Sequence, residues 1–171
     1  MKYKIAFTGP ESTGKTTLSK KISELYNGVY VEEYARAYLE KTNGLYQEKD
    51  LVSIAEGQSE LITRATNHKN QLLVSDTDLT VVMVWSHYKY NKVHPTIEHL
   101  FQSEKFDLLF LCDIDTPWEY DPLREHPNER NEILSFYKKV LNENNRNFIL
   151  LSGSIEERLE KIKTHLKEKI K

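Results

Sequence analysis

Residues 9–16 combine two glycines, a lysine and a threonine in the spacing G-x-x-x-x-G-K-T, and this segment constrains the fold more than any other. Residues 3–8 before it form a short apolar, β-prone run, and Leu18, Ile22 and Leu25 after it recur at helical spacing. A strand, a glycine loop and a helix in this order bring backbone N–H groups and the positive end of a helix together, which suits phosphate groups. The sequence therefore predicts a nucleotide-binding loop.

Two side chains of this loop fit nucleotide chemistry. Lys15 can reach the β- and γ-phosphates as a compact positive charge, and we predict that it is catalytic because it stabilises charge on the transferred group. The hydroxyl of Thr16 can coordinate Mg²⁺. We therefore expect ATP and Mg²⁺ to be the cofactors.

Length and composition narrow the class of protein. The 171 residues fit one domain with a sizeable core, which predicts a single domain over residues 1–171. The formal net charge of −2 gives no reason to expect a nucleic-acid partner. The single cysteine, Cys112, excludes an internal disulfide, and its apolar neighbours predict that it is buried. Without a signal segment or a long apolar run, we expect a cytoplasmic protein that enters no membrane, and the oligomeric state stays open.

Short apolar runs alternate with longer helical patterns along the chain. The predicted strands are residues 3–8, 28–32, 71–75, 107–112 and 147–151. The predicted helices are residues 15–26, 33–41, 47–68, 78–90, 130–144 and a last helix after Ser154. Repeated β-then-α units predict a three-layer α/β fold of the P-loop NTPase type, with a parallel five-stranded sheet, helices on both faces and a lid loop. The valine run in residues 79–85 is equally compatible with a strand.

Carboxylates follow the second and third predicted strands, at the sheet edge where open α/β sheets bind ligands. Phosphoryl transfer needs one carboxylate near Mg²⁺ and another that orients and deprotonates the attacking hydroxyl group. Asp76 ends an apolar strand in the Walker B pattern, so we assign it to the metal together with Thr16. Glu33 is the predicted base, and Glu32 and Asp78 stay open as alternatives. Alternatively, these acids only cap the helices that follow.

The segment of about residues 115–130 combines three prolines with arginines and aromatic residues. Its proline density predicts a structured loop rather than a helix. We interpret it as a lid whose Arg124 and Arg130 stabilise charge on the moving phosphoryl group and whose closure excludes water. Trp118 offers a flat face for a ring. The alternative is a surface loop whose arginines form weak ion pairs with neighbouring acids.

The predicted ATP contacts comprise the phosphate loop and the connection after the fifth predicted strand. These residues are Gly9, Glu11, Ser12, Thr13, Gly14, Lys15, Thr16, Thr17, Ser152, Gly153 and Ser154. P-loop kinases often contact adenine at the equivalent of residues 152–154. The same residues are equally typical of a turn followed by a helix N-cap.

Four strings carry a family resemblance: residues 9–18, residues 33–36 (E-Y-A-R), residues 75–78 (S-D-T-D) and residues 115–118 (D-T-P-W) with Asp121 and Arg124 after them. Nearly the whole chain thereby resembles the ribosylnicotinamide kinase domain of NadR-type proteins. The resemblance implies transfer of the ATP γ-phosphate to the 5′-hydroxyl of nicotinamide riboside, a small-molecule acceptor, to give nicotinamide mononucleotide. The residues then expected to bind the acceptor are Glu33, Tyr34, Arg36, Trp118 and, as the alternative base, Asp78. Trp118 or Tyr34 can stack on the cationic ring.

The chain also departs from this family. Neither the H-x-G-H signature of a nucleotidyltransferase domain nor a DNA-binding helix-turn-helix is expected here, so adenylylation and transcriptional repression are not predicted. Pro122 stands where we expect glycine, and a stiffer lid allows a different acceptor. A kinase for another nucleoside or metabolite is therefore one alternative, and an ATP-dependent switch without an acceptor is another. Guanine-specific switches bind guanine through the aspartate of the motif N-K-x-D. Residues 91–94 (N-K-V-H) lack this aspartate, so we expect ATP as the nucleotide.

Overall fold

The computed structural model describes residues 2–170, so Met1 and Lys171 of the predicted domain span lie outside the described residues. Five strands and seven helices occur along this part of the chain. The strands are β1 (Tyr3–Thr8), β2 (Val29–Val31), β3 (Leu72–Ser75), β4 (Leu108–Cys112) and β5 (Phe148–Leu151). The helices are α1 (Lys15–Leu25), α2 (Tyr34–Lys41), α3 (Glu48–Thr66), α4 (Thr80–Tyr90), α5 (Pro95–Ser103), α6 (Arg130–Glu143) and α7 (Ile155–Leu166).

The five strands form one parallel sheet in the order β2-β3-β1-β4-β5. The central strand β1 pairs with β3 on one side and with β4 on the other. The chain builds the β3 side first and then crosses to the β4 side, so the direction of winding reverses at β1. Ligands of open parallel sheets bind outside the carboxyl ends of the strands at such a reversal. The phosphate loop leaves β1 at this point.

Helices cover both faces of the sheet because the inner strands are apolar on both sides. On one face, Ile5 and Phe7 of β1 belong to a core cluster that contains residues of α1 and α7. The rings of Phe7 and Phe110 stack there with centroids 5.4 Å apart. On the other face, Ala6 belongs to a cluster that contains residues of α3, α4, α5 and α6. Burying a side chain of the size of Phe contributes about 1.5–3 kcal/mol, so this packing fixes β1 and the start of the loop.

The predicted α/β architecture is confirmed, and each predicted strand is present with bounds within one residue. The ambiguous valine run belongs to α4, where Val81, Val82, Met83 and Val84 are all buried, so no polar face marks it as a helix. Helix α5 was not predicted, although Pro95 begins it and its His94 cap accepts a backbone N–H. Cys112 is buried, as expected. Among residues 2–170, no helix combines the length and apolarity needed to cross a membrane.

Candidate active site

The phosphate loop runs from β1 to the N-terminus of α1. Gly9 (φ 130°) and Gly14 (φ 82°) adopt positive φ values that favour glycine. A Cβ at Gly9 would also lie 2.8 Å from the carbonyl oxygen of Cys112. The Thr13 hydroxyl donates to the carbonyl of Pro10 at 2.8 Å and closes the turn. These features hold the loop in a shape whose backbone N–H groups can surround an anion.

Lys15 and the first turn of α1 form the positive part of the site. The Lys15 ammonium group donates to the carbonyl oxygens of Gly9 at 2.9 Å and Pro10 at 2.8 Å, so it lies against the loop. Within the described chain, no side chain caps the helix at Gly14 and no acid occupies its first turn. The free N–H groups, the helix dipole and the lysine charge together favour a bound phosphate.

A cavity of about 470 Å³ opens beside the loop, which is a volume suited to a small ligand. The predicted site residues that line it are Gly9, Glu11, Ser12, Thr13, Gly14, Lys15, Thr16, Thr17, Glu33, Arg36 and Arg124. The predicted residues outside its described lining are Tyr34, Asp76, Asp78, Trp118, Arg130, Ser152, Gly153 and Ser154. The structure therefore brings the phosphate loop, the Glu33 carboxylate and one lid arginine into a single space.

Glu33 contributes that carboxylate from the start of α2. It is the N-cap of this helix, yet its side chain caps none of the helix N–H groups among the described residues. The side chain lines the cavity instead. Burial raises the pKa of Glu33 above its usual value, the charge of Lys15 opposes this, and Asp76 raises the pKa further. A carboxylate with a raised pKa is a better proton acceptor.

The two alternative bases lie elsewhere. Asp78 is 1% exposed, and its carboxylate accepts a hydrogen bond from the hydroxyl of Thr80. Burial raises the pKa of Asp78, and the Thr80 hydrogen bond opposes this. Glu32 is exposed, and neither it nor Asp78 belongs to the lining in the part of the chain described. The geometry thus favours Glu33 as the base.

Asp76 ends β3 and is 3% exposed. Its Oδ2 accepts the hydroxyl of Tyr30 at 2.9 Å, whereas its Oδ1 is buried without a hydrogen-bond partner among residues 2–170. A buried carboxylate oxygen normally has a partner, so a cation or its hydration shell fits here. Three His, Cys, Asp or Glu residues that could bind a metal do not cluster anywhere in the described chain. Mg²⁺ typically uses one or two carboxylates and substrate phosphates, and Asp76 and Thr16 are the residues that would hold it.

The segment predicted as a lid, about residues 115–130, is anchored on the phosphate loop, and its last residue, Arg130, begins α6. The Glu11 carboxylate accepts the backbone N–H of Glu125 at 3.1 Å. The carbonyl of Ser12 accepts the hydroxyl of Thr116 at 2.8 Å and the guanidinium of Arg130 at 3.0 Å. Two residues predicted to contact ATP therefore also hold the lid over the loop.

Residues 4–158 match the family model AAA_28, which is described as an AAA domain. The chain belongs to this family. Two NadR proteins, from Escherichia coli and Salmonella typhimurium, are described as trifunctional NAD biosynthesis/regulator proteins and are 30% identical to this AAA domain over 151 residues. The alignment covers 85% of the chain but 37% of each relative, so the chain spans little more than a third of their length.

Solved structures share the fold of this AAA domain. NadR in complex with NR gives a TM-score of 0.86 at 22% identity and covers 99% of this chain and 51% of that one. NadR in complex with NAD and AMP-PNP gives 0.80 at 22% identity over 95% and 49% of the two chains. Thymidylate kinase from Ehrlichia chaffeensis gives 0.68 at 19% identity over 96% and 98%. The predicted P-loop fold and the resemblance to NadR-type proteins are confirmed.

In the AAA domain, Trp118 packs against two lid arginines. Its ring centroid lies 5.8 Å from the guanidinium carbon of Arg124 and 5.9 Å from that of Arg130. Arg130 also donates to the carbonyl of Thr116 at 2.9 Å. Arg124 reaches the cavity lining and Arg130 does not. Trp118 is thus placed to orient the arginines, and its contact with an acceptor stays a prediction.

Tyr34 and Arg36, the other predicted acceptor residues, connect α2 to its neighbours. The Tyr34 ring rests on α3, where a Cβ at Gly57 would lie 2.3 Å from the ring. Arg36 donates to Asp121 of the lid at 2.8 Å, and this hydrogen bond holds the pKa of Asp121 below its usual value. Arg36 also lines the cavity. Of these two residues, Arg36 has the more direct access to a ligand.

The connection after β5 is a turn that leads into a capped helix. The Ser152 hydroxyl donates to Asp113 at 2.7 Å. Ser154 begins α7 in a capping box with Glu157. Both alternatives for this segment remain compatible with the structure, because an N-cap and a contact with adenine do not exclude each other.

Arg158 is a site residue that sequence reasoning missed. It is fully buried and donates to the carbonyl of Thr13 at 2.7 Å and to that of Gly153 at 2.9 Å. It also pairs with Asp115. One guanidinium thereby joins the phosphate loop, the start of the lid and the connection after β5. In the sequence, an arginine on the apolar side of α7, between Ile155 and Ile162, was the feature that could have indicated a buried role for this residue.

Part of the cavity lining is apolar and aromatic, and sequence reasoning also missed it. These lining residues are Tyr46, Leu51, Ile54, Val81, Val82, Trp85 and Tyr137. The ring of Trp85 contacts the ring of His126 in the lid, with centroids 5.3 Å apart. An indole beside a lid and a phosphate loop can accept a flat ligand ring. In the sequence, Trp85 resembled one more apolar position of a buried segment.

Proposed function

We propose that this AAA domain is an ATP-dependent kinase that phosphorylates the 5′-hydroxyl of nicotinamide riboside. The observation that carries the proposal is a cavity whose lining includes the phosphate loop, the Glu33 carboxylate and aromatic residues such as Trp85. Such a cavity can accommodate both a phosphate donor and a ring-bearing acceptor. The similarity to NadR, of which a structure in complex with NR exists, supports this choice of acceptor.

The reaction follows from the positions of three side chains. Glu33 accepts the proton of the acceptor hydroxyl while the hydroxyl oxygen forms its bond to the γ-phosphorus. The bond from that phosphorus to the β,γ-bridging oxygen breaks, and ADP leaves. Lys15 and Arg124, both in the cavity lining, stabilise the charge on the moving group. Mg²⁺, held by Thr16 and Asp76, would neutralise part of the phosphate charge.

The charges of the cavity also suit a cationic ring. Its lining contains four carboxylates, those of Glu11, Glu33, Glu119 and Glu125, against three cations, those of Lys15, Arg36 and Arg124. The Trp85 face can add a cation–π contact of about 0.5–2 kcal/mol. Because a kinase of this type depends on Mg-ATP, we propose the cytoplasm as its location, with ATP and the riboside as its partners.

The test is ADP release in the presence of Mg-ATP and a panel of nucleosides that includes nicotinamide riboside. We expect release with nicotinamide riboside and a product with the mass of the mononucleotide. Release with a different nucleoside would move the proposal to that acceptor. ATP hydrolysis that no acceptor stimulates would instead support the switch alternative.

Trp85 in the cavity lining and Trp118 in the lid give a matched pair of variants. We expect Trp85→Ala to raise the KM for the acceptor about tenfold and to leave the KM for ATP unchanged, because about 1.4 kcal/mol of ring contact corresponds to a factor of ten. Trp118→Ala should lower kcat instead, since Trp118 packs against Arg124 and Arg130. Steady-state kinetics with each substrate varied separate the two results. If only Trp118→Ala raises the KM for the acceptor, then Trp118 rather than Trp85 contacts the acceptor.

A further inference from the structure

Gln58 is a polar residue on the buried face of α3, where the other buried residues are apolar. It is 2% exposed. Its Oε1 accepts the backbone N–H of Tyr34 at 2.8 Å, and its Nε2 donates to the carbonyl of Glu32 at 3.3 Å. One side-chain amide therefore binds the peptide units on both sides of Glu33.

One of these hydrogen bonds satisfies the N–H of Tyr34, the first residue of α2, whereas an N-cap side chain normally reaches the second or third residue. The first N–H groups of a helix lack intrahelical partners, and the side chain of the N-cap residue normally accepts one of them. In the described chain, the N-cap residue Glu33 makes no such bond, and Gln58 accepts the N–H of Tyr34 from a neighbouring helix. The Glu33 carboxylate lines the cavity, and Gln58 holds the peptide units on both sides of it.

Gly57 supports the same contact. A Cβ at this position would lie 2.3 Å from the ring of Tyr34, so the ring rests on bare helix backbone. A larger residue would push the ring, and with it the start of α2, away from α3. Gly57 and Gln58 therefore dock the residues on either side of Glu33 by packing and by two hydrogen bonds.

We propose that Gln58 is a positioning residue that keeps the Glu33 carboxylate in the cavity by holding the peptide units on both sides of it. This inference rests on the proposed function, in which Glu33 accepts the proton of the acceptor. Without the amide, the N–H of Tyr34 and the carbonyl of Glu32 lose their partner, and the backbone that carries Glu33 shifts. A displacement of about 1 Å at a reacting group lowers turnover by up to about 10²-fold.

The first test is a double-mutant cycle of Gln58→Met and Glu33→Gln. Methionine has a similar volume but neither donates nor accepts a strong hydrogen bond. We expect kcat of Gln58→Met to fall roughly 10- to 100-fold with the KM for ATP unchanged. The double variant should have the kcat of Glu33→Gln alone, because Gln58 acts through a carboxylate that is already absent. Losses that multiply in the double variant would overturn the proposal.

Two further variants separate positioning from stability. Ser23→Ala removes one buried hydrogen bond, from the Ser23 hydroxyl to the carbonyl of Gly28 at 2.9 Å, near the end of α1 far from the phosphate loop. We expect its kcat to equal that of the wild type. Gln58→Glu keeps an acceptor for the N–H of Tyr34, so it should recover part of the turnover that Gln58→Met loses. If Gln58→Glu is as slow as Gln58→Met, the hydrogen bond to the N–H of Tyr34 is not the cause.

A titration of the Glu33 carboxyl carbon by NMR needs no turnover. The charged groups that face Glu33 are Lys15, Arg36, Asp76 and Arg124, and all are unchanged in Gln58→Met. We expect the pKa of Glu33 to fall in this variant, because burial raises it in the wild type and a displaced carboxylate is better solvated. An unchanged pKa would overturn the proposal. If wild-type protein releases no ADP with any acceptor, the proposed function fails, while the titration still decides the role of Gln58.

Discussion

Lys15→Ala is expected to lower kcat by roughly 10²- to 10³-fold, the loss typical of removing one group that stabilises transition-state charge. The Lys15 ammonium group is held at the loop by the carbonyl oxygens of Gly9 and Pro10. In the proposed reaction, the ammonium group exchanges these contacts for contacts with the phosphates. Its charge therefore stabilises the transition state of phosphoryl transfer most strongly. The measurement is acceptor-dependent ADP release at saturating concentrations of both substrates.

Lys21→Ala is the matched control for this variant. Lys21 lies on the same helix and is exposed, so its removal changes the net charge by the same amount without touching the loop. We expect wild-type kcat for Lys21→Ala. Because Lys15 also bridges two loop carbonyls, the thermal midpoint of Lys15→Ala should be measured to show that the loop is still formed. Wild-type turnover in a folded Lys15→Ala protein would contradict the assignment of the phosphate site.

The fold could be predicted because its signals are local. The run before Gly9 is apolar and β-prone, and the central strand of a covered parallel sheet is buried on both faces, so it needs such a run. The glycines of the loop were recognisable from spacing alone, and their positive φ values explain why glycine stands there. Helix α4 was ambiguous because burial of Val81–Val84 removes the periodicity on which a sequence argument depends.

The aromatic part of the cavity lining could not be predicted, because it depends on contacts between distant elements. Trp85 and Tyr137 come from α4 and α6, and only the folding of both helices onto one face of the sheet brings them to the same cavity. A sequence pattern reports the neighbours of a residue within its own element, whereas a cavity lining depends on contacts between elements. Arg158 is a similar case, since its partners Thr13 and Gly153 lie in two separate loops.

The motif that contains Trp118 predicts that this residue lies near the phosphate loop, but it does not predict which groups the indole contacts. The D-T-P-W string lies beside the phosphate loop, and Thr116 donates to the carbonyl of Ser12. The indole, however, packs against Arg124 and Arg130. An aromatic residue in a lid can stack on a ligand or on the arginines of the lid, and these options differ only in side-chain direction.

Glu33→Gln is expected to lower kcat by roughly 10²- to 10⁴-fold, the range typical of a positioned general base. Glutamine has nearly the same shape but cannot accept the proton. The affinity for ATP should change little, since the variant keeps the phosphate loop intact. Glu32→Gln is the matched control, because Glu32 is the adjacent acid, is exposed and lies outside the described lining. Normal turnover in Glu33→Gln together with a loss in Glu32→Gln would transfer the role to Glu32.

The pH dependence of kcat gives a second readout for the same residue. A base must be ionised to act, and burial raises the pKa of Glu33 above its usual value. The acid limb of the wild-type profile should therefore lie above about pH 4.3, the usual value for a glutamate, and kcat should fall as the pH drops through the raised pKa. Glu33→Gln should lack this limb. A limb that persists in Glu33→Gln would belong to another group.

Stability should respond to Glu33→Gln in the opposite direction from activity. Because the pKa of Glu33 is raised in the folded state, the native protein binds more protons than the unfolded chain between the unfolded and the folded pKa values. The contribution of Glu33 to stability is then fully present below the unfolded pKa and is lost as the pH rises through the folded pKa. The thermal midpoints of wild type and Glu33→Gln should thus diverge with rising pH, with the variant more stable at neutral pH.

A carboxylate that costs stability and supplies turnover is typical of a group retained for its chemistry. A variant less stable than the wild type at neutral pH would indicate that Glu33 is retained for the fold.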